Sequence, residues 1–216
     1  FSLTEQGRFD MPLRTVIRKG DTDSCFIVMP AYSDDFNAAA FKVVNVFPGN
    51  LDKGLNTCPA QVMLCDGDTG YIKAIIDGDY LTKVRTGAAT GVAFDVLGRN
   101  DCRKGALIGT GGQAATQLEA MLTARQLEKV CVYSRNQDRC KAFCDKMNAE
   151  LGHLGAEIIP VASSDEAVED ADLVVCVTTS REPVFDGNKI KPGCTISCVG
   201  IYTPDKHELD PAVLPR

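Results

Sequence analysis

The chain has no lysine- or arginine-dense run, no C-x-x-C pair, only two histidines (His153 and His207) and no long apolar stretch. Each gap removes a class of function. Without a basic patch, and with a net charge of −6, the surface is not built for nucleic acid or anionic lipid, so small metabolites are the expected partners. A membrane-spanning helix needs about 18 or more consecutive apolar residues, and no segment approaches that. The first residues carry no charged-apolar-small pattern of a signal peptide, so a cytoplasmic protein is expected. Ten cysteines (25, 58, 65, 102, 131, 140, 144, 176, 194 and 198) are scattered rather than grouped. They read as reduced core side chains rather than zinc ligands, and no metal is expected; Cys140 and Cys144 share a helix face, but a pair makes no closed site.

What is present is enough apolar content over 216 residues to bury a large core, in one domain or one domain plus part of another. The opening "FSLTEQGRFDMP" reads as the tail of an amphipathic helix with a proline stop, and "ELDPAVLPR" as a helix start at Asp-Pro, so a chain truncated at both ends is expected. Between them the texture changes near residue 100. The runs "SCFIVMPAY", "AAFKVVNVF", "AQVMLCD" and "YIKAIID" predict a mostly antiparallel sheet, with "DTG" at 68 to 70 as a hairpin turn. Residues 79 to 97 predict a helix from Leu81, Val84, Ala88, Val92 and Val96, with small residues that permit close packing. From 105 onward "GALIGTG", "KVCVYS", "AEIIPV", "ADLVVCVTTS" and "CTISCVG" alternate with helical patterns at 112 to 127, 136 to 150 and 164 to 170. That alternation predicts an α/β domain with a parallel sheet.

In "LIGTGGQA", Gly109, Gly111 and Ala114 fit G-x-G-x-x-[G/A] between a strand and a helix. Gly109 would make the tight turn, Gly111 would admit a pyrophosphate, and Ala114 would keep the helix against the sheet, with the helix N-terminus facing the phosphates. Where the second strand ends, an acidic residue would bind the ribose of NAD; Ser134 and Arg135 stand there instead. NADP is therefore expected over NAD, the alternative being that Arg135 is an ordinary solvated arginine near Asp138. Thr178 and Thr179 fall at the carboxyl end of a later strand, on the ligand side of such a sheet. Lys42 interrupts an apolar strand, and either points to solvent or meets an anion. Arg85, beside Thr86, and Arg14 are two further cations that could help clamp a carboxylate.

"FKVVNVFPGN", "LTKVRTGAATG", "LIGTGGQA" and "VGIYTPDKHELD", in that order and spacing, resemble the ornithine cyclodeaminase and mu-crystallin family over essentially the whole chain. The resemblance implies a Rossmann dinucleotide-binding domain, here 99–216 and incomplete, joined to an α+β substrate and dimerisation domain, here 1–98, in a homodimer. Lys42 and Arg85, with Arg14, match the cations that hold the substrate carboxylate. Thr86 matches a threonine beside the cofactor phosphates. Gly109, Gly111, Gly112 and Gln113 match the phosphate loop, with Thr110 and Ala114 inside it. Where ornithine cyclodeaminases carry an acidic residue that engages the substrate amine, this chain has Tyr202. A phenol with a pKa of about 10 suits proton donation better than holding an ammonium. The resemblance thus implies an NADP-preferring (NAD possible) imine reductase or small amino-acid dehydrogenase acting on C=N or CH–NH groups, with Lys42, Arg85 and Tyr202 at the catalytic centre. Ornithine cyclodeaminase and a non-catalytic NADP(H)-binding protein are the alternatives.

Overall fold

Residues 2–200 and 207–214 are described by the computed structural model. The chain divides into two compact units, Phe1–Thr82 and Lys83–Arg216. Sequence texture puts the boundary at 98/99 instead; one helix, α2 below, fills the interval between the two positions.

The first unit begins with a short helix α1 (Ser2–Glu5) and continues into five strands: β1 (Thr15–Arg18), β2 (Cys25–Ser33), β3 (Ala38–Val46), β4 (Ala60–Asp66) and β5 (Ile72–Asp77). They pair antiparallel in chain order, as tight turns require of consecutive strands. Asp66 builds the β4–β5 turn by accepting hydrogen bonds from the Asp68 and Thr69 amides, the Thr69 hydroxyl and Lys73. Lys73 and Thr69 hold its carboxyl far below the ordinary carboxylate range. The predicted "DTG" turn lies here, with the Asp66 amide bonded to the Tyr71 carbonyl.

Helix α2 (Gly78–Leu97) follows. The expected helix forms, but Leu81, Val84, Ala88, Val92 and Val96 are exposed, and Thr82, Gly87, Thr90 and Phe94 are buried instead. The reason is the small-residue stripe: at Gly87 an added Cβ would stand 2.5 Å from the Thr116 carbonyl oxygen, so only glycine lets the two helices approach this closely. The C-terminal carbonyls of α2 are taken up by Arg125, whose guanidinium donates to the carbonyls of Asp95, Gly98 and Arg99, each at 2.8 Å.

The second unit carries β6 (Lys104–Ile108), α3 (Ala114–Ala124), β7 (Lys129–Tyr133), α4 (Gln137–Leu151), β8 (Glu157–Pro160), α5 (Ser164–Val168), β9 (Leu173–Cys176) and β10 (Thr195–Cys198). Its sheet is parallel throughout, in the order β10-β9-β6-β7-β8. Strand alternation splits the core between two faces. Leu107, Val130, Val132, Leu173 and Val175 pack with Phe94 and with Leu118, Met121 and Cys144 of α3 and α4. Ala106, Ile108, Val174 and Cys176 pack with Ala167 and Val168 of α5 and with Phe185 and Ile190. Each fully buried leucine or methionine contributes about 2 kcal/mol.

At the amino ends of the strands Asp172, nearly buried, accepts from the Arg103 and Lys104 amides, from Arg99 at 2.7 Å and from Lys191 at 2.6 Å. Burial alone would raise its pKa; the Arg103 amide, Lys191 and the Lys104 amide outweigh that and lower it to about 2.

All ten cysteines are free thiols, six of them buried and three half-buried, with Cys144 pushed up to about 12 by burial. Cys198 departs from the core reading: it is exposed, at the end of the edge strand β10. Among the described residues no cluster of three or more His, Cys, Asp or Glu side chains could hold a metal ion, and no helix is long and apolar enough to cross a membrane.

Candidate dinucleotide and carboxylate site

The parallel sheet has its switch point between β6 and β9. From β6 the chain runs outward through β7 and β8, then returns to place β9 and β10 on the other side of β6. In open α/β sheets the crevice at the carboxyl ends of such neighbouring strands takes the ligand. The loop after β6 enters that crevice. Gly109 has φ +106, outside the range of L side chains, and an added Cβ would meet the Val177 carbonyl oxygen at 2.7 Å. Its amide is bonded to the Tyr133 carbonyl at 2.8 Å, which ties the loop to the end of β7.

The start of α3 is open. Asn136 caps α4 by accepting the Arg139 amide and Ser163 caps α5 by accepting the Glu166 amide, whereas no side chain caps α3 at Gln113. The Ala114 amide turns back to the Gly111 carbonyl at 3.1 Å, and the helix dipole, with no side chain capping it, makes this end suited to an anion. Gln113 Oε1 is buried beside it without a hydrogen-bond partner among the described residues. A sharp turn that requires glycine at 109, an open loop at Gly111 and Gly112, an uncapped helix and an orphaned amide oxygen together fit a bound dinucleotide.

Three stretches of the second unit therefore meet at one edge of the sheet: Gly109–Ala114, Ser134 and Arg135 after β7, and Thr178 and Thr179 after β9. Ser134 is half-buried and Arg135 exposed. Arg139, which the sequence reading does not single out, donates to the Thr110 carbonyl at 3.2 Å. Its signal was its place in the first turn of the helix that follows Ser134 and Arg135. Arg85 and Thr86 stand on α2 immediately before the Gly87–Thr116 contact with α3.

In the first unit, Lys42 is half-buried in β3, paired with Met29 of β2 and Val62 of β4. Arg14 precedes Thr15, the first residue of β1, which pairs with Val28 of β2 beside Met29, the partner of Lys42. Tyr202 lies outside the described residues.

A family model described as the ornithine cyclodeaminase/mu-crystallin family matches residues 1–216. A Delta(1)-pyrroline-2-carboxylate reductase of Bacillus cereus is 35% identical over 198 residues, covering 92% of this chain and 60% of that protein. Among solved structures, the Thermococcus litoralis Delta(1)-pyrroline-2-carboxylate reductase in complex with NADH and L-proline superposes with a TM-score of 0.91 at 39% identity, over 98% of this chain and 64% of that one. An archaeal alanine dehydrogenase dimer with bound NAD gives 0.85 at 32% identity, over 96% and 62%. The chain thus spans under two thirds of the length of these proteins.

Proposed function

Because the chain belongs to the ornithine cyclodeaminase/mu-crystallin family, we propose that its protein is a nicotinamide-dependent oxidoreductase that reduces cyclic or linear ketimines, or interconverts small amino and 2-oxo acids. The observation that carries the reading is Gly109, whose positive φ and close packing against the Val177 carbonyl turn the chain from β6 toward α3 at the switch point, where a dinucleotide-binding sheet takes its pyrophosphate. The likeness to reductases of Delta(1)-pyrroline-2-carboxylate supports a carboxylate-bearing imine as substrate.

A bound reduced nicotinamide supplies the hydride for the C=N carbon. The protein supplies the rest. The Gly109–Ala114 loop and the α3 amides hold the pyrophosphate, with Thr86, Thr178 and Thr179 beside it. Lys42, Arg85 and Arg14 clamp the substrate carboxylate; arginine does so bidentately, which fixes orientation as well as position. Lys42, Tyr202 or a bound water gives the nitrogen its proton. NADPH is preferred over NADH: Ser134 and Arg135, rather than a carboxylate, stand directly at the end of β7, and Arg135 and Arg139 are two cations beside the place of the ribose 2′-phosphate. The first unit binds substrate and forms a homodimer, in line with the dimeric alanine dehydrogenase, and the protein works in the cytoplasm on small molecules.

Titration with NADPH and NADH, followed by mixing with cyclic imino acids and with 2-oxo acids plus ammonia, tests the reading. Selective NADPH binding and substrate-dependent loss of nicotinamide absorbance support it. Binding without turnover favours a ligand-binding role, and ammonia release from ornithine without net cofactor turnover favours the cyclodeaminase. Lys42→Met and Arg85→Ala should each lower kcat/KM by about tenfold or more; wild-type efficiency in both variants removes the clamp.

A further inference from the structure

Between the carboxyl ends of β9 and β10 lies a buried carboxylate that none of the roles above uses. Glu208 is 2% exposed. Its Oε1 accepts from both the amide and the hydroxyl of Thr178, each at 2.6 Å, and its Oε2 accepts from the Gly200 amide at 2.8 Å. Its own main-chain carbonyl accepts from the Val184 amide at 2.9 Å. A carboxylate taken out of water is tolerated only with such a set of donors, and charge-assisted bonds of this length are strong ones. The side chain thus fastens the end of β9 to the end of β10, and the main chain of the same residue holds the intervening segment.

The consequence for Thr178 is chemical. A hydroxyl has one proton, and this one is committed to Glu208, so toward any other group Thr178 Oγ1 can only accept. The Ser180 amide uses one lone pair at 3.2 Å and leaves a second. Thr178 also stands against the glycine loop: a Cβ on Gly109 would meet its methyl carbon at 3.1 Å.

We propose that Glu208 is a positioning residue that locks the strand ends at the switch point and sets the Thr178 hydroxyl as an acceptor for an N–H or O–H donor of the bound dinucleotide. This rests on reading the crevice as a dinucleotide site. Glu208→Gln puts an amide N–H against one of the donors it now satisfies. Thr178→Val removes the acceptor while keeping the carboxylate, and Thr178→Ser restores the hydroxyl.

The experiment measures NADH and NADPH dissociation constants by fluorescence titration, the thermal midpoint without ligand, and amide hydrogen exchange. Glu208→Gln and Thr178→Val should each weaken both dinucleotides by about tenfold, as loss of a hydrogen bond in a charged network does. The double variant should be little worse than either alone, and Thr178→Ser should bind as wild type. In Glu208→Gln, exchange at Thr178 and Gly200 should quicken while Ala106–Ile108 stay protected. If Glu208→Gln lowers the midpoint and Thr178→Val leaves both dissociation constants unchanged, Glu208 is a structural strut and the proposal is wrong. Should Glu208→Gln fail to fold, the Val and Ser variants at 178 decide the matter alone. A wild-type protein that binds neither dinucleotide sinks the dinucleotide reading and the acceptor role with it, and is recognised before any variant is made.

Discussion

Two five-stranded sheets in one chain are covered in opposite ways. In the parallel sheet, Ala106, Leu107, Val130, Val132, Val174 and Val175 are all fully buried, on both faces. In the antiparallel sheet the buried apolar residues are Cys25, Ile27, Ala60 and Val62, while Val16, Ile17, Phe26, Ile72, Ile75 and Ile76 are exposed. Connectivity explains the contrast. Parallel neighbours need long crossovers, and here these bring α3, α4 and α5, and Phe185 and Ile190 of the β9–β10 connection, onto the faces; antiparallel neighbours can be joined by a turn, which covers nothing. The parallel unit therefore carries its own core, and the region that holds Lys42 and Arg14 presents apolar surface of the kind found where another chain or segment docks.

The contrast breaks most sharply at Asp172. Asp172→Asn leaves the two amides and two cations it serves without their charged acceptor, and should cost the parallel unit about 3 kcal/mol, measured by chemical denaturation. The same group sets a pH dependence. Its folded pKa of about 2 lies below the unfolded value, so its contribution is complete above the unfolded pKa of about 4 and is lost as the pH falls through about 2. Acid titration of unfolding should show that loss in wild type and not in Asp172→Asn.

Gly109→Ala comes next. It forces φ +106 on a residue with a Cβ and drives that carbon toward the Val177 carbonyl, so about 2 kcal/mol of stability and most dinucleotide affinity should go together. Retained NADPH binding in a folded Gly109→Ala protein would remove the glycine turn from the argument. Arg125→Ala uncaps α2 and should cost about 2 kcal/mol with dinucleotide affinity unchanged, which separates the stability of the unit from the shape of its crevice.

What the sequence revealed follows the range of the interactions. The glycine loop was legible because strand, turn and helix start lie within a dozen residues, and each glycine has a local reason. The antiparallel and parallel textures were legible because hydrophobic period and turn chemistry are also local. Glu208 was not, because its partners are 8 and 30 residues away and nothing in "HELD" advertises a buried carboxylate. The buried face of α2 is not legible for a related reason: apolar residues line one side, but closeness of approach, which favours Gly87 and Gly91 against Thr116 and Ala120, decides which side is buried. Arg139 stands in view four residues after Arg135, yet its link to Thr110 appears only once β6 and β7 are neighbours.

The smallest effect gives the cleanest test of the contrast between the sheets. Val174→Thr and Ile75→Thr make the same kind of change, a methyl in one and an ethyl in the other exchanged for a hydroxyl on a strand. In the parallel sheet Val174 is fully buried, and a hydroxyl there without a partner should cost about 1 to 3 kcal/mol. In the antiparallel sheet Ile75 is 66% exposed, and the same hydroxyl should change folding stability by less than about 0.5 kcal/mol. If a second copy covers that face, Ile75→Thr should instead shift the monomer–dimer balance, seen by sedimentation as dissociation at protein concentrations where wild type stays paired. An Ile75→Thr protein with both wild-type stability and wild-type association would show that the exposed isoleucines of β5 are not where the antiparallel sheet is covered, and would move the search to Val16, Ile17 and Phe26 on β1 and β2.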